Sequence, residues 1–178
     1  MKKTNLSDYD LNTVPNGEKY TIAVVAAEWN PQITDKLLHG AVDTLREHGV
    51  KEGNILVQRV PGTFELSSAA DTILFNNNKV DAVICIGCVI QGETRHFEFI
   101  CQAVSQGITN VSLKYHQPVI FSVLTCDTMQ QALDRAGGHH GNKGVEGAVT
   151  TLKMCRFMDN VASKRTRTMN KIADRVRI

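Results

Sequence analysis

The sequence has no apolar run approaching the roughly 20 residues a membrane-spanning helix requires. Its first residues, "MKKTNLSDYDLN", contain two lysines but none of the apolar core of a signal peptide. These two absences place the expected chain in the cytoplasm. Internal repeats are missing, and the only low-complexity segment is the asparagine run at 76–78, which excludes a solenoid or a disordered array. Cysteine is odd in number, five in all, and each thiol sits in an otherwise apolar segment. That pattern excludes a disulfide framework and suits buried thiols in a reducing compartment. Tryptophan occurs once, at position 29. Net charge is close to absent as well: it is +2 in all, with +5 on the tail from Lys164 to Ile178, so the body carries −3. By charge the body excludes nucleic acid as a partner, and only the basic tail invites that thought.

What is present is a chain of 178 residues, 42% of them hydrophobic, enough for one domain with a proper core. Residues 1–19 are polar, broken by Pro15, Asn16 and Gly17, and read as an extended arm. From Tyr20 to about residue 162, β-rich runs alternate with helical patterns. "YTIAVVAA" leads into a helix over residues 34–48, capped by Thr34 and ended by Gly49. "NILVQRV" leads into a helix over 64–75, and "VDAVICIGCVI" into one over 94–106. "PVIFSVLT" is followed by a short helix and then a long one from Gly144 to Ala162. Strands that alternate with helices and are apolar on both faces predict a four-stranded parallel sheet in a three-layer αβα, or α/β, arrangement. Residues 163–178 form a basic tail, either a disordered or weakly helical end or a cationic lining for anionic cargo.

In such a sheet, ligands bind beyond the carboxyl ends of the strands. Those ends hold Trp29 and Asn30, then Thr63, Phe64 and Glu65, then the stretch Gln91 to His96, and finally Cys126 to Thr128. Trp29 and Phe64 can stack on a flat heterocycle, and Asn30 and Glu65 can satisfy its polar groups; each also has a plain structural reading, as a core plug or a first-turn charge. In "GETRHFEF", Gly92 permits a tight turn, and Glu93 and Thr94 begin a helix whose free N–H groups favour an anion. His96 stands in the first turn, and an imidazole is a side chain suited to moving protons near neutral pH.

Two other patterns carry less. "CIGC", Cys85 to Cys88, has redox spacing, but residues three apart on a strand face opposite ways, and the first thiol lacks a helix N-terminus. His139 and His140 lack helical metal-ligand spacing, so no metal site is expected. "DRAGGHHGNKG" offers Arg135 and Lys143 to a phosphate, or is a plain loop between helices; it is not a P-loop, because its spacing is wrong and it follows a helix.

Five ordered segments together, "AEWN", "VPGTFEL", "GCVIQGETRHFEF", "PVIFSVLTCDTMQQALDRAG" and "GNKGVEGAVTTLKM", resemble the 6,7-dimethyl-8-ribityllumazine synthase family of riboflavin biosynthesis. The likeness runs from about Tyr20 to Met158. It implies a flavodoxin-like fold and a cofactor-free transferase condensing 5-amino-6-(D-ribitylamino)uracil with 3,4-dihydroxy-2-butanone 4-phosphate. It implies Trp29 as the stacking aromatic, Thr63, Phe64 and Glu65 as holders of the ribityl chain, and Cys88, Val89 and Ile90 as backbone partners of the pyrimidine. Glu93, Thr94 and Arg135 would take the phosphate and His96 the protons. Phe121, Arg135 and Lys143 would arrive from the adjacent subunit of a homo-oligomer, a pentamer or a shell of twelve pentamers.

Trp29 stands where the family commonly has phenylalanine, Gln91 where it has a basic residue, and Arg95 where it has proline or threonine. The arm is expected to pair with a neighbour's sheet. Alternative readings are the archaeal type of riboflavin synthase and a flavin- or lumazine-binding carrier or shell protein without catalysis.

Overall fold

The computed structural model describes residue 5 and residues 7–176, with side chains through Ser163. Four strands, β1 (Ile22–Ala27), β2 (Ile55–Val60), β3 (Ala82–Ile90) and β4 (Val119–Cys126), form one parallel sheet in the order β2-β1-β3-β4. Each crossover carries a helix: α1 (Pro31–Glu47), α2 (Leu66–Asn76) and α3 (His96–Tyr115). After β4 come α4 (Met129–Asp134), a hairpin of β5 (Ala136–Gly138) and β6 (Gly141–Asn142), and α5 (Lys143–Val176). This is the three-layer arrangement expected from the alternation, and the flavodoxin-like fold that the resemblance implies.

The period of two along β1 and β3 decides which layer each residue joins. Ile22, Val24, Ala26, Ile84, Ile86 and Cys88 pack with α1 and α5, while Ala23, Val25, Val83 and Cys85 pack with α2 and α3. Ile84 and Ile86 are wholly buried, each stabilising the fold by about 1.5–3 kcal/mol. Cys85 and Cys88 lie on opposite faces, which rules out a disulfide between them, and burial pushes both thiols up to about 12. Among the described residues no helix is long and apolar enough to cross a membrane.

Several boundaries differ from the sequence expectation. α1 starts at Pro31, not Thr34: Asn30 takes the left-handed conformation (φ 59°) at the N-cap and Pro31 fills the first helical position. Thr34 is buried inside the helix, its hydroxyl donating back to the Asn30 carbonyl. α3 starts at His96 and not at Thr94, and it runs on past Gly107 to Tyr115. Gly107 is no terminator: a Cβ there would lie 2.4 Å from Ser67 Oγ, so it marks the close crossing of α3 over α2. The segment after α4 is a hairpin instead of a loop, turned by Gly137 and Gly141 at positive φ. The backbone of α5 continues from the body through Val176, and the basic side chains of the tail lie outside the described ones.

The described part of the arm runs over its own subunit. Val14 is buried, Tyr9 Oη pairs with His48 Nε2 at 3.0 Å, and Lys19 and Tyr20 both reach Asp159 on α5 at 2.6 Å.

Candidate active site

β3 is longer than its neighbour, and that inequality opens the site. Its pairing with β1 stops at Ala26↔Ile86, while its pairing with β4 continues to Ile90↔Cys126. The lip of β3 from Gly87 to Ile90 therefore has no strand on its β1 side. Asn30 and Thr63 reach across this gap: Asn30 Nδ2 donates to the Cys88 carbonyl at 3.1 Å and Thr63 Oγ1 at 3.4 Å. The left-handed turn at Asn30 thus serves two purposes, starting α1 and aiming the amide at β3.

Over this lip lies a cavity of about 160 Å³ lined by Trp29, Asn30, Thr63, Phe64, Cys88, Val89, Ile90, His96 and Ile100. Trp29 and Phe64 are 66% and 54% exposed, so neither is a core plug. The indole lies against Gly62, where a Cβ would come within 2.7 Å of its ring carbons. Such a surface offers aromatic faces, open backbone and one imidazole, a set suited to a flat polar heterocycle. The Cys88 thiol is held protonated by burial and by its neighbour Cys126, which disfavours it as a nucleophile.

The turn between β3 and α3 is closed by a side chain. Gln91 Nε2 donates to the carbonyls of Gly92 (2.7 Å) and Thr94 (3.4 Å). In a trans peptide the N–H points opposite its C=O, so these bonds turn the amides of Glu93 and Arg95 away from Gln91. Glu93 and Thr94 lie in this turn ahead of the helix, and Thr94 Oγ1 accepts from the His96 amide at 3.4 Å.

The remaining candidates are elsewhere. Glu65 lines a separate groove of about 610 Å³ beside β2 and α2, and its Oε2 is buried without a hydrogen-bond partner. Phe121 is half-buried against the α2/α3 layer. Arg135 and Lys143 flank the β5–β6 hairpin, joined by a carboxylate that the sequence reading missed. Glu146 Oε1 accepts from Arg135 Nη2 at 2.8 Å and Oε2 from Lys143 Nζ at 3.1 Å. Arg135 Nη1 also donates to the His140 carbonyl at 2.7 Å, fixing the guanidinium at the hairpin. The spacing of Lys143 and Glu146, three apart at a helix start, was the available signal.

A family model described as 6,7-dimethyl-8-ribityllumazine synthase matches residues 19–159. The chain belongs to the 6,7-dimethyl-8-ribityllumazine synthase family. Relatives of that name include proteins from Porphyromonas gingivalis, 58% identical over 84% of this chain and 92% of the relative, and Cytophaga hutchinsonii, 57% identical over 84% and 93%. A third, from Parabacteroides distasonis, is 55% identical over 86% of this chain and 95% of the relative. The lumazine synthase match covers every candidate site residue from Trp29 to Lys143, and stops short of most of the arm and of the basic tail.

Proposed function

We propose that this lumazine synthase family member condenses 5-amino-6-(D-ribitylamino)uracil with 3,4-dihydroxy-2-butanone 4-phosphate to give 6,7-dimethyl-8-ribityllumazine, phosphate and water. One observation carries the site assignment: Trp29, Asn30, Thr63, Phe64, Cys88, Val89, Ile90 and His96 converge on one cavity at the carboxyl end of β3. The pyrimidine stacks on Trp29 and reads the open backbone of the β3 lip. The ribityl chain runs past Thr63 and Phe64 toward Glu65, whose unpartnered oxygen accepts a hydroxyl. The butanone phosphate sits on the turn held by Gln91, with Glu93 and Thr94 around it.

The chemistry needs few charged groups. The arylamine attacks the ketone and water leaves to give an imine; a carbon-bound proton and phosphate are then eliminated, the resulting enol takes a proton on its terminal carbon to become a new carbonyl, and the second nitrogen closes the ring on that carbonyl with loss of a second water. Each step moves a proton, and His96 at the cavity wall takes and returns them. Holding two reactants in register supplies several kcal/mol, about the scale of a favourable effective molarity.

A cavity of about 160 Å³ is small for two substrates, and Phe121, Arg135 and Lys143 do not line it. This supports a site shared between adjacent subunits of a cytoplasmic homo-oligomer, a pentamer or twelve pentamers, in which one subunit's hairpin supplies the cations to its neighbour's cavity.

The test mixes the assembled protein with both substrates and follows lumazine and phosphate release against the uncatalysed background. His96→Ala is expected to lower kcat by about 10²-fold, the low end for a positioned acid–base group, because orientation is retained. A folded, assembled wild type that binds lumazine without turnover would instead favour the carrier reading.

A further inference from the structure

The described part of the N-terminal arm contacts the cation-bearing hairpin. The hydroxyl of Ser7 accepts from the amide of Asn142, lies 2.9 Å from the Asn142 carbonyl, and lies 3.3 Å from Glu146 Oε1. A hydroxyl has one proton, so it donates to the carbonyl or to the carboxylate while it accepts from the amide. When the proton goes to the carbonyl, one side chain satisfies both backbone groups at the end of β6, as a neighbouring strand would. The seat is cut for it: a Cβ on Gly141 would fall 2.8 Å from Ser7 Cβ and closer still to the Ser7 hydroxyl and the Asn5 side chain.

Asn142 passes this contact on. Its Nδ2 donates to the Lys36 carbonyl on α1 at 2.9 Å, and its Oδ1 accepts from the amides of Gly144 (2.8 Å) and Val145 (3.3 Å), capping α5. The next turn of α5 carries Glu146, which holds Arg135 and Lys143. Ser7, Asn142, Glu146 and the two cations form one connected polar cluster.

We propose that Ser7 is a positioning residue for phosphate binding: the arm latches the β5–β6 hairpin and, through Asn142 and Glu146, sets where Arg135 and Lys143 are presented. This rests on the functional reading above. It assigns the arm a role in substrate affinity, apart from any in assembly.

The test compares Ser7→Ala, Ser7→Thr and, as an arm control away from the hairpin, Tyr9→Phe, all as assembled full-length protein. Ser7→Ala is expected to raise KM for the butanone phosphate about fivefold, the equivalent of one net hydrogen bond. KM for the pyrimidine and the assembly size stay unchanged, Ser7→Thr restores the wild-type value, and Tyr9→Phe has no effect. Hydrogen exchange follows the same latch without turnover: the Asn142 amide, which donates to Ser7, exchanges faster in Ser7→Ala. Unchanged exchange, an unchanged KM, equal shifts in both KM values, or the same shift in Tyr9→Phe would overturn the proposal. A wild type with no turnover sinks the functional reading, while the exchange data still report on whether the latch exists.

Discussion

Replacing Gly62 with alanine tests the aromatic wall of the cavity without touching any group proposed to do chemistry. Gly62 has extended backbone (φ −138°, ψ 175°), which alanine adopts freely, so the substitution acts through its methyl alone. That methyl would sit 2.7 Å from Cε3 and Cζ3 of Trp29 and 3.0 Å from Glu65 Oε2. Trp29 is 66% exposed and able to swing outward, so the clash is relieved by moving the ring rather than by unfolding the chain. The loss then falls on binding. A stacked aromatic contact is worth about 0.5–1.5 kcal/mol, so KM for the pyrimidine rises roughly 2- to 12-fold while thermal stability is nearly unchanged. Trp29 is the only tryptophan, so the emission spectrum of the protein reports on this ring alone. In the wild type, pyrimidine or lumazine quenches it; in Gly62→Ala the unliganded emission shifts and the quenching midpoint moves with KM. An alanine variant with wild-type emission and wild-type KM refutes the stacking wall.

Two further outcomes follow from the geometry. If the site is shared, His96→Ala and Arg135→Ala subunits, each strongly impaired alone, regain activity when co-assembled in equal amounts, to about a quarter of the wild-type level for random placement; no recovery in mixed assemblies argues that both residues serve a site within one subunit. Burial holds Cys85, Cys88 and Cys155 protonated up to about pH 12, whereas their ordinary value is 9.0. Between those values the unfolded chain has released protons that the folded chain keeps, so the stability these thiols confer below pH 9 declines as pH rises from 9 toward 12. Denaturant melts across that window check the sign, and replacing Cys85 with alanine should flatten the decline while lowering stability overall.

The sheet was legible because its signal is local and repeated: four apolar runs, each followed by a helical pattern, leave few other arrangements. The facing of Cys85 and Cys88 was equally plain, since the strand period fixes it. Helix limits were less so. The helix expected over 94–106 stops short of Gly107, which is a crossing point in space that only the partner Ser67 on α2 makes visible. Asn30 reads as a partner for the polar groups of a ligand, and its donation to Cys88 depends on a backbone conformation that no pattern announces. Short strands such as Ala136–Gly138 carry too few residues for a period, so the hairpin looked like a loop. Trp29, Asn30, Thr63, Phe64 and His96 could be named because they follow strand ends, whereas Cys88, Val89 and Ile90 came only with the resemblance to a family, which also implied the roles. Ser7 and Asn142 are 135 residues apart, and no spacing rule joins them.

The overhang of β3 beyond β1 has a consequence for how the family can change. Recognition by main-chain amides and carbonyls has no side chain to replace, so substitutions at Val89 or Ile90 alter the shape of the floor while leaving its donor and acceptor pattern intact. A new heterocycle that needs a different pattern is reached only by sliding the register of β3 against β4 or by lengthening β1 to cover the lip. Either change disturbs a buried parallel sheet. On the proposed reading, the pyrimidine edge is therefore the least evolvable part of this site, and the two aromatic residues and the hairpin cations are where variation has room.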